Sequence, residues 1–207
     1  MTIRKRLLLS CSTLLLFAAP ALAGPPLICH PFDTTPGASL IAWGTGPGWN
    51  SPDPAYQPAR LVADVTAILE TNATVLTRME NLRRATIYAM RDPVVAERLL
   101  KALMTRALST TTHGPAWFDA GYLIESYKQA VHMRERKGHA WAAVDETIKV
   151  DGYGFVKKAM AMAGANAEME FAASLMTQGA VAAAHRQRAA AAGPGSLVVK
   201  NLAKTTF

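Results

Sequence analysis

From Pro58 onward, apolar residues recur every three or four positions, the period of an α-helix with one buried face. Leu61, Val65, Ile68 and Leu69 share one face of a helix that Pro58 opens and that runs to about Glu70. Thr77-x-x-Glu80 reads as a capping box for a second helix, with Met79, Leu82, Thr86, Ile87 and Met90 on one stripe. Asp92 followed by Pro93 predicts a third helix start, continued by Val95, Leu99, Leu103 and Ala107. Pro115 restarts the pattern with Trp117, Ala120, Ile124, Tyr127 and Val131, and Gly138 ends it. A short helix carrying Trp141, Val144 and Ile148 is expected next, then one over about 153–163. After Gly164 a long alanine-rich helix is expected to reach about Ala192, where Gly193-Pro194-Gly195 stops it. Helices joined by short loops predict an all-α domain over 58–192. Its antiparallel helical hairpins would form a bundle or a short α-solenoid.

The flanks break this period. Between Gly24 and Pro58 lie eight of the twelve prolines and five of the fourteen glycines. No helix or central strand persists through such a stretch. The same stretch holds Phe32, Trp43, Trp49 and Tyr56, and aromatic rings are scarce in disordered linkers. Residues 24–57 are therefore expected to form an irregular, ordered arm with its rings against the helical domain. Residues 193–207 are expected to be a flexible tail, frayed or docked as a short extended piece.

Residues 1–23 have the three parts of a secretory signal peptide. Arg4, Lys5 and Arg6 supply charge, Leu7 to Ala19 an apolar run, and Pro20-Ala21-Leu22-Ala23 a small-residue cleavage site. The run is too short to span a bilayer. A lipobox at Leu8-Leu9-Ser10-Cys11 would leave only Leu7, Leu8 and Leu9 ahead of its cysteine, which is too little for an apolar region. Export to the periplasm or the extracellular space is the expectation, with a mature chain starting at Gly24 and holding no transmembrane segment. Export also changes the charge: without three cations, 19 basic residues face 15 acidic ones, a net +4 in place of +7. That mild, interspersed excess is not a nucleic-acid footprint.

Cys11 leaves with the leader, so Cys29 becomes the mature chain's single thiol, able to link a dimer but not to close an internal disulfide. With His30 beside it, it is the one pair of neighbouring residues suited to Cu(I) or Zn(II), with His113, His132 or His139 as further donors. Haem attachment ordinarily needs a first cysteine at position 26, where Pro26 stands. The methionines fit core packing better than axial ligation. No Gly-x-Ser-x-Gly, His-Glu-x-x-His or phosphate loop is present. Glu168 and Glu170 point away from each other on a helix and make no acid–base pair with one another.

Trp117-x-x-Ala120-Gly121 faintly resembles the start of a tetratricopeptide hairpin over one helical turn, and Asp119-Ala-Gly-Tyr122 is echoed by Asp151-Gly-Tyr153. Gly24-Pro-Pro-Leu-Ile-Cys-His-Pro-Phe32, with Leu82-Arg-Arg-Ala-Thr-Ile-Tyr-Ala89, resembles a group of uncharacterised secreted bacterial proteins. That likeness implies bacterial export and carries no residue roles. The sequence thus leads to an exported helical protein that binds a partner. A metal- or haem-linked protein built on Cys29 and His30 is the alternative, and an enzyme of unrecognised type is the third reading.

Overall fold

The computed structural model describes residues 26–71, 73–135 and 149–205. The leader with its Cys11, the cleavage point, His139 and the expected helix around Trp141 lie outside these residues. The described chain is all-helical, as the periodicity predicts. A 3-10 turn at Pro58–Arg60 leads into α1 (Leu61–Glu70), followed by α2 (Val75–Ala89), α3 (Pro93–Leu108) and α4 (Gly114–Glu135). Then come α5 (Gly152–Ala163), α6 (Ala167–Met176), α7 (Gly179–Ala190) and α8 (Leu197–Lys204). Buried apolar side chains from all eight helices and from the arm form one continuous core. Helix α4 packs along α5, α6 along α7, and α2 against α4.

Local chemistry sets the helix starts. Asp92 accepts from the amides of Val94 and Val95, with Pro93 in the first turn. Asp151, Asn166 and Ser196 cap α5, α6 and α8 in the same manner. At α2 the cap is Thr74, whose hydroxyl accepts from the Thr77 amide at 3.3 Å. The expected capping box at Thr77 and Glu80 is therefore one turn out of place, and Glu80 turns inward toward the arm.

Two further expectations are corrected. The long helix after Gly164 is two helices, because Thr177 and Gln178 are extended and Gly179 takes φ +57°. The Thr177 hydroxyl donates to the Ala173 carbonyl at 2.9 Å and so helps end α6. The chain then folds back, laying α7 on α6. Alanine periodicity continues across this corner, which is why the sequence reads as one helix.

The tail is the second correction: residues 197–204 are helix α8, docked on the arm. Gly193 and Gly195, both at positive φ, turn the chain, and Ser196 caps the new helix. Asn201 accepts from the Asp33 amide at 2.8 Å and donates to its carbonyl at 3.0 Å, while Lys204 pairs with the Asp33 carboxylate.

One contact fixes α4 against α5. A β-carbon on Gly121 would stand 2.5 Å from the Gly152 carbonyl, and one on Gly152 would stand 2.7 Å from the Gly121 carbonyl. The two backbones approach closer than any side chain allows.

Candidate functional site

The arm spans residues 26–57 without helix or strand, so its amides and carbonyls need partners from elsewhere. Helix α2 supplies them from polar side chains that are themselves buried. Glu80 accepts from the Phe32 amide at 3.0 Å, from both fork nitrogens of Arg83 at 2.8 Å and from Arg84 at 2.7 Å. Arg83 donates onward to the carbonyls of Ile28 and Trp49, and Arg84 to that of Ile41. Asn81 accepts from the Ile41 amide and donates to the Ser39 carbonyl. The Tyr88 hydroxyl donates to Ala42 and accepts from the Asp53 amide. Rings complete the seam. Trp43 stands edge-on to Tyr88 at 5.8 Å, and the Arg83 and Arg84 guanidiniums lie over its face. Of the two stretches that carry the resemblance, the described residues 26–32 of the first meet 82–89 here, through the Arg83–Ile28 bond.

Cys29 and His30 sit on the turn at the head of this arm, both half-buried. Burial pushes the Cys29 thiol up to about 11, and the Arg83 charge only partly opposes it. Burial, with Arg83, also lowers the His30 imidazole. Cys29 is therefore a thiol at neutral pH, and binding a metal or linking a dimer would require its deprotonation against that burial. Among the described residues no group of three His, Cys, Asp or Glu is placed to hold a metal ion. His113 lies on the exposed loop before α4.

A second region gathers helix starts. The N-terminal ends of α2, α6 and α8, with their caps Thr74, Asn166 and Ser196, border a groove of about 730 Å3. Its walls are mostly apolar, with Val75, Phe118, Met169, Leu197 and Val198 among them. At its edge Glu168 accepts from the Leu76 amide at 2.9 Å, so this carboxylate completes the α2 N-terminus. Arg78 lines the same groove and is held by Asp119 at 2.7 Å and by the carbonyls of Thr71 and Ala73. Arg106 shares the same Asp119 oxygen at 3.1 Å. Burial pushes the Asp119 carboxyl up to about 6, even with both guanidiniums opposing the shift.

The third cluster was invisible in the sequence. His185 on α7 is 5 % exposed. Its Nδ1 lies 2.5 Å from Glu170 Oε2 on α6, and its Nε2 lies 2.7 Å from the Tyr153 hydroxyl on α5. Nδ1 also lies 2.7 Å from an Arg188 guanidinium nitrogen, so the ring has two competing neighbours on that side. In the tautomer that donates from Nδ1 to the Glu170 carboxylate, Nε2 accepts from Tyr153. Arg188 clasps the other Glu170 oxygen at 2.8 Å. Burial would raise the Glu170 carboxyl, but hydrogen bonds from Arg188 and His185 outweigh it and hold the group below its usual range. Glu170 and His185 are 15 residues apart and meet only because the chain turns at Thr177-Gln178-Gly179. That short non-alanine interruption is the one clue the sequence offers.

Comparison with known proteins gives no matching family model, no matching curated protein and no matching solved structure.

Proposed function

We propose that the chain is an exported helical binding protein whose ligand site is the groove where α2, α6 and α8 begin. The observation that carries this reading is the groove itself: about 730 Å3 of mostly apolar wall, within the range of small-molecule sites. Its floor is held from behind by the Arg78–Asp119–Arg106 ion group, and α8 closes one side of it. The occupant this favours is a small, mainly apolar molecule with a hydrogen-bond-accepting end. Export enters through the charged and apolar segments of residues 1–23.

The test is dye binding. An environment-sensitive apolar anion such as ANS should bind saturably at one site per chain. Ala165 is exposed on the groove wall, so Ala165→Trp fills the space without touching the core. That variant should lose at least about tenfold in dye affinity, a cost of roughly 1.4 kcal/mol, with an unchanged melting temperature. Equal dye binding by both proteins would sink the assignment.

A further inference from the structure

We infer that Tyr153, His185 and Glu170 form a base-activated nucleophile, in which the tyrosine hydroxyl can take an acyl group from an activated carboxylic ester. This site is separate from the groove and does not depend on it. The geometry is that of a nucleophile, a base and an orienting carboxylate in series. Tyr153 Oη lies 2.7 Å from His185 Nε2, and His185 Nδ1 lies 2.5 Å from Glu170 Oε2. Each member comes from a different helix, and each is fixed by a second contact. The Tyr153 amide donates to Glu125 at 3.1 Å, the His185 ring is almost wholly buried, and Glu170 is clasped by Arg188.

The chemical roles follow from the surroundings. Burial, reinforced by Glu170, keeps Tyr153 a phenol at rest, so attack requires a base. In the tautomer with the proton on His185 Nδ1 toward Glu170, the Nε2 lone pair faces that phenol at 2.7 Å. Glu170 fixes the tautomer and compensates the imidazolium that forms, as an orienting residue and not as a reactant. Tyr153 is partly exposed, and the Lys157 ammonium lies over its ring, 5.0 Å from the centre, where a positive charge favours the electron-rich ring of the attacking phenol.

The step balances without a further reagent. Tyr153 Oη adds to the ester carbonyl while its proton passes to His185 Nε2. The tetrahedral adduct collapses with cleavage of the bond to the leaving alcohol, which takes that proton. Acyl-Tyr153 remains, and addition of water releases the carboxylic acid and restores the phenol.

The probe is p-nitrophenyl acetate, read by p-nitrophenolate release and by peptide mass spectrometry. The expected result is one acetyl group per chain on Tyr153, with an initial burst of one equivalent of p-nitrophenolate. Tyr153→Phe should abolish the burst. His185→Gln should slow acylation about a hundredfold, with partial recovery on adding free imidazole. Glu170→Gln should lower the saturating acylation rate and leave the half-saturating ester concentration unchanged, a split that a purely structural tie would not produce. Circular dichroism and melting curves on all three variants separate loss of chemistry from loss of fold. Glu170→Gln, which keeps the shape of the side chain, preserves the test if His185→Gln does not fold. Acetylation confined to lysines, or an unchanged Tyr153 rate in His185→Gln or Glu170→Gln, would overturn the inference.

Discussion

Helix α2 is buried on nearly every side, yet its two polar flanks are treated differently. Toward the arm, the donors and acceptors of Glu80, Asn81 and Arg83 are engaged. On α4, which packs against α2, three buried polar atoms lie on one stripe at i, i+3 and i+7. Asp119 Oδ1, the Tyr122 hydroxyl and the Ser126 hydroxyl find no hydrogen-bond partner among the described residues. An irregular segment brings its own unpaired backbone groups into the core, so polar side chains facing it gain partners. A helix facing a helix has already used its backbone groups. The arm is therefore what makes a charged α2 tolerable, and α2 is what gives the arm a conformation.

The largest expected effect comes from breaking the arm side. Glu80→Ala leaves Arg83 buried without its carboxylate and the Phe32 amide without an acceptor. Removing one partner of a buried pair costs about 3–5 kcal/mol. Urea unfolding should show that loss, and tryptophan fluorescence should report release of Trp43 and Trp49. A loss under about 1 kcal/mol would mean that α2 does not seat the arm.

The α4 side predicts a pH effect of the opposite sense to ordinary acid unfolding. The buried Asp119 carboxyl keeps its proton up to about 6, whereas in the unfolded chain it releases it near 3.8. The folded state then binds more protons between those values. The contribution is full below about 3.8 and is lost as pH rises through about 6, a change on the order of 3 kcal/mol. Because other carboxylates titrate nearby, with Glu170 shifted the opposite way, the check is a difference. Stability of the native protein minus that of Asp119→Asn should fall between about pH 4 and pH 7. A difference that rises with pH would show that Arg78 and Arg106 outweigh burial.

A smaller effect tests a third face of α4, the one against α5, where two glycines let the backbones meet between the Trp117–Phe155 and Glu125–Tyr153 contacts. Gly121→Ala places a methyl group 2.5 Å from the Gly152 carbonyl, and backbone cannot swing aside as a side chain can. Overpacking of this kind costs about 1–3 kcal/mol. A neutral Gly121→Ala would mean that α4 and α5 are further apart than described.

The same contrast explains what the sequence could and could not reveal. Helix faces were legible because burial on one side leaves a three-to-four period, as with Leu61, Val65 and Leu69. Asp92-Pro93 was legible because capping is local. The arm's order was legible from its aromatic rings. Glu80 and Arg83 were not, since charged residues in a helix normally mark the solvent side. Only the tertiary approach of residues 28–49 makes them interior. Helix α8 was missed because eight residues give too little periodicity, and its Asn201 partners an arm residue 168 positions away. Within the candidate sites, Cys29 and His30 stood out by residue type and prove half-buried. The Tyr153–His185–Glu170 series, by contrast, depends on a chain reversal that no spacing encodes.

The smallest predicted effect has the opposite sign and bears most directly on the comparison. The Tyr122 hydroxyl is fully buried and makes no hydrogen bond among the described residues, with Glu80 and Arg83 the charges that influence it. Burial pushes its phenol well above the ordinary tyrosine range, and Glu80 adds to that shift, so the group is a neutral hydroxyl without a partner. Such a group carries a desolvation cost of about 1–3 kcal/mol and returns nothing for it. Tyr122→Phe keeps the ring that packs against Phe118 and removes only the oxygen. It should therefore stabilise the protein by about 1 kcal/mol, or several degrees in melting temperature. The matching change on the arm side, Tyr88→Phe, removes a hydroxyl with two partners and should destabilise by a similar amount. If both variants lose stability, the Tyr122 hydroxyl has a partner in solution, and α4 is as fully satisfied as the arm. Opposite signs would establish that α2 lies between one answered and one unanswered polar surface.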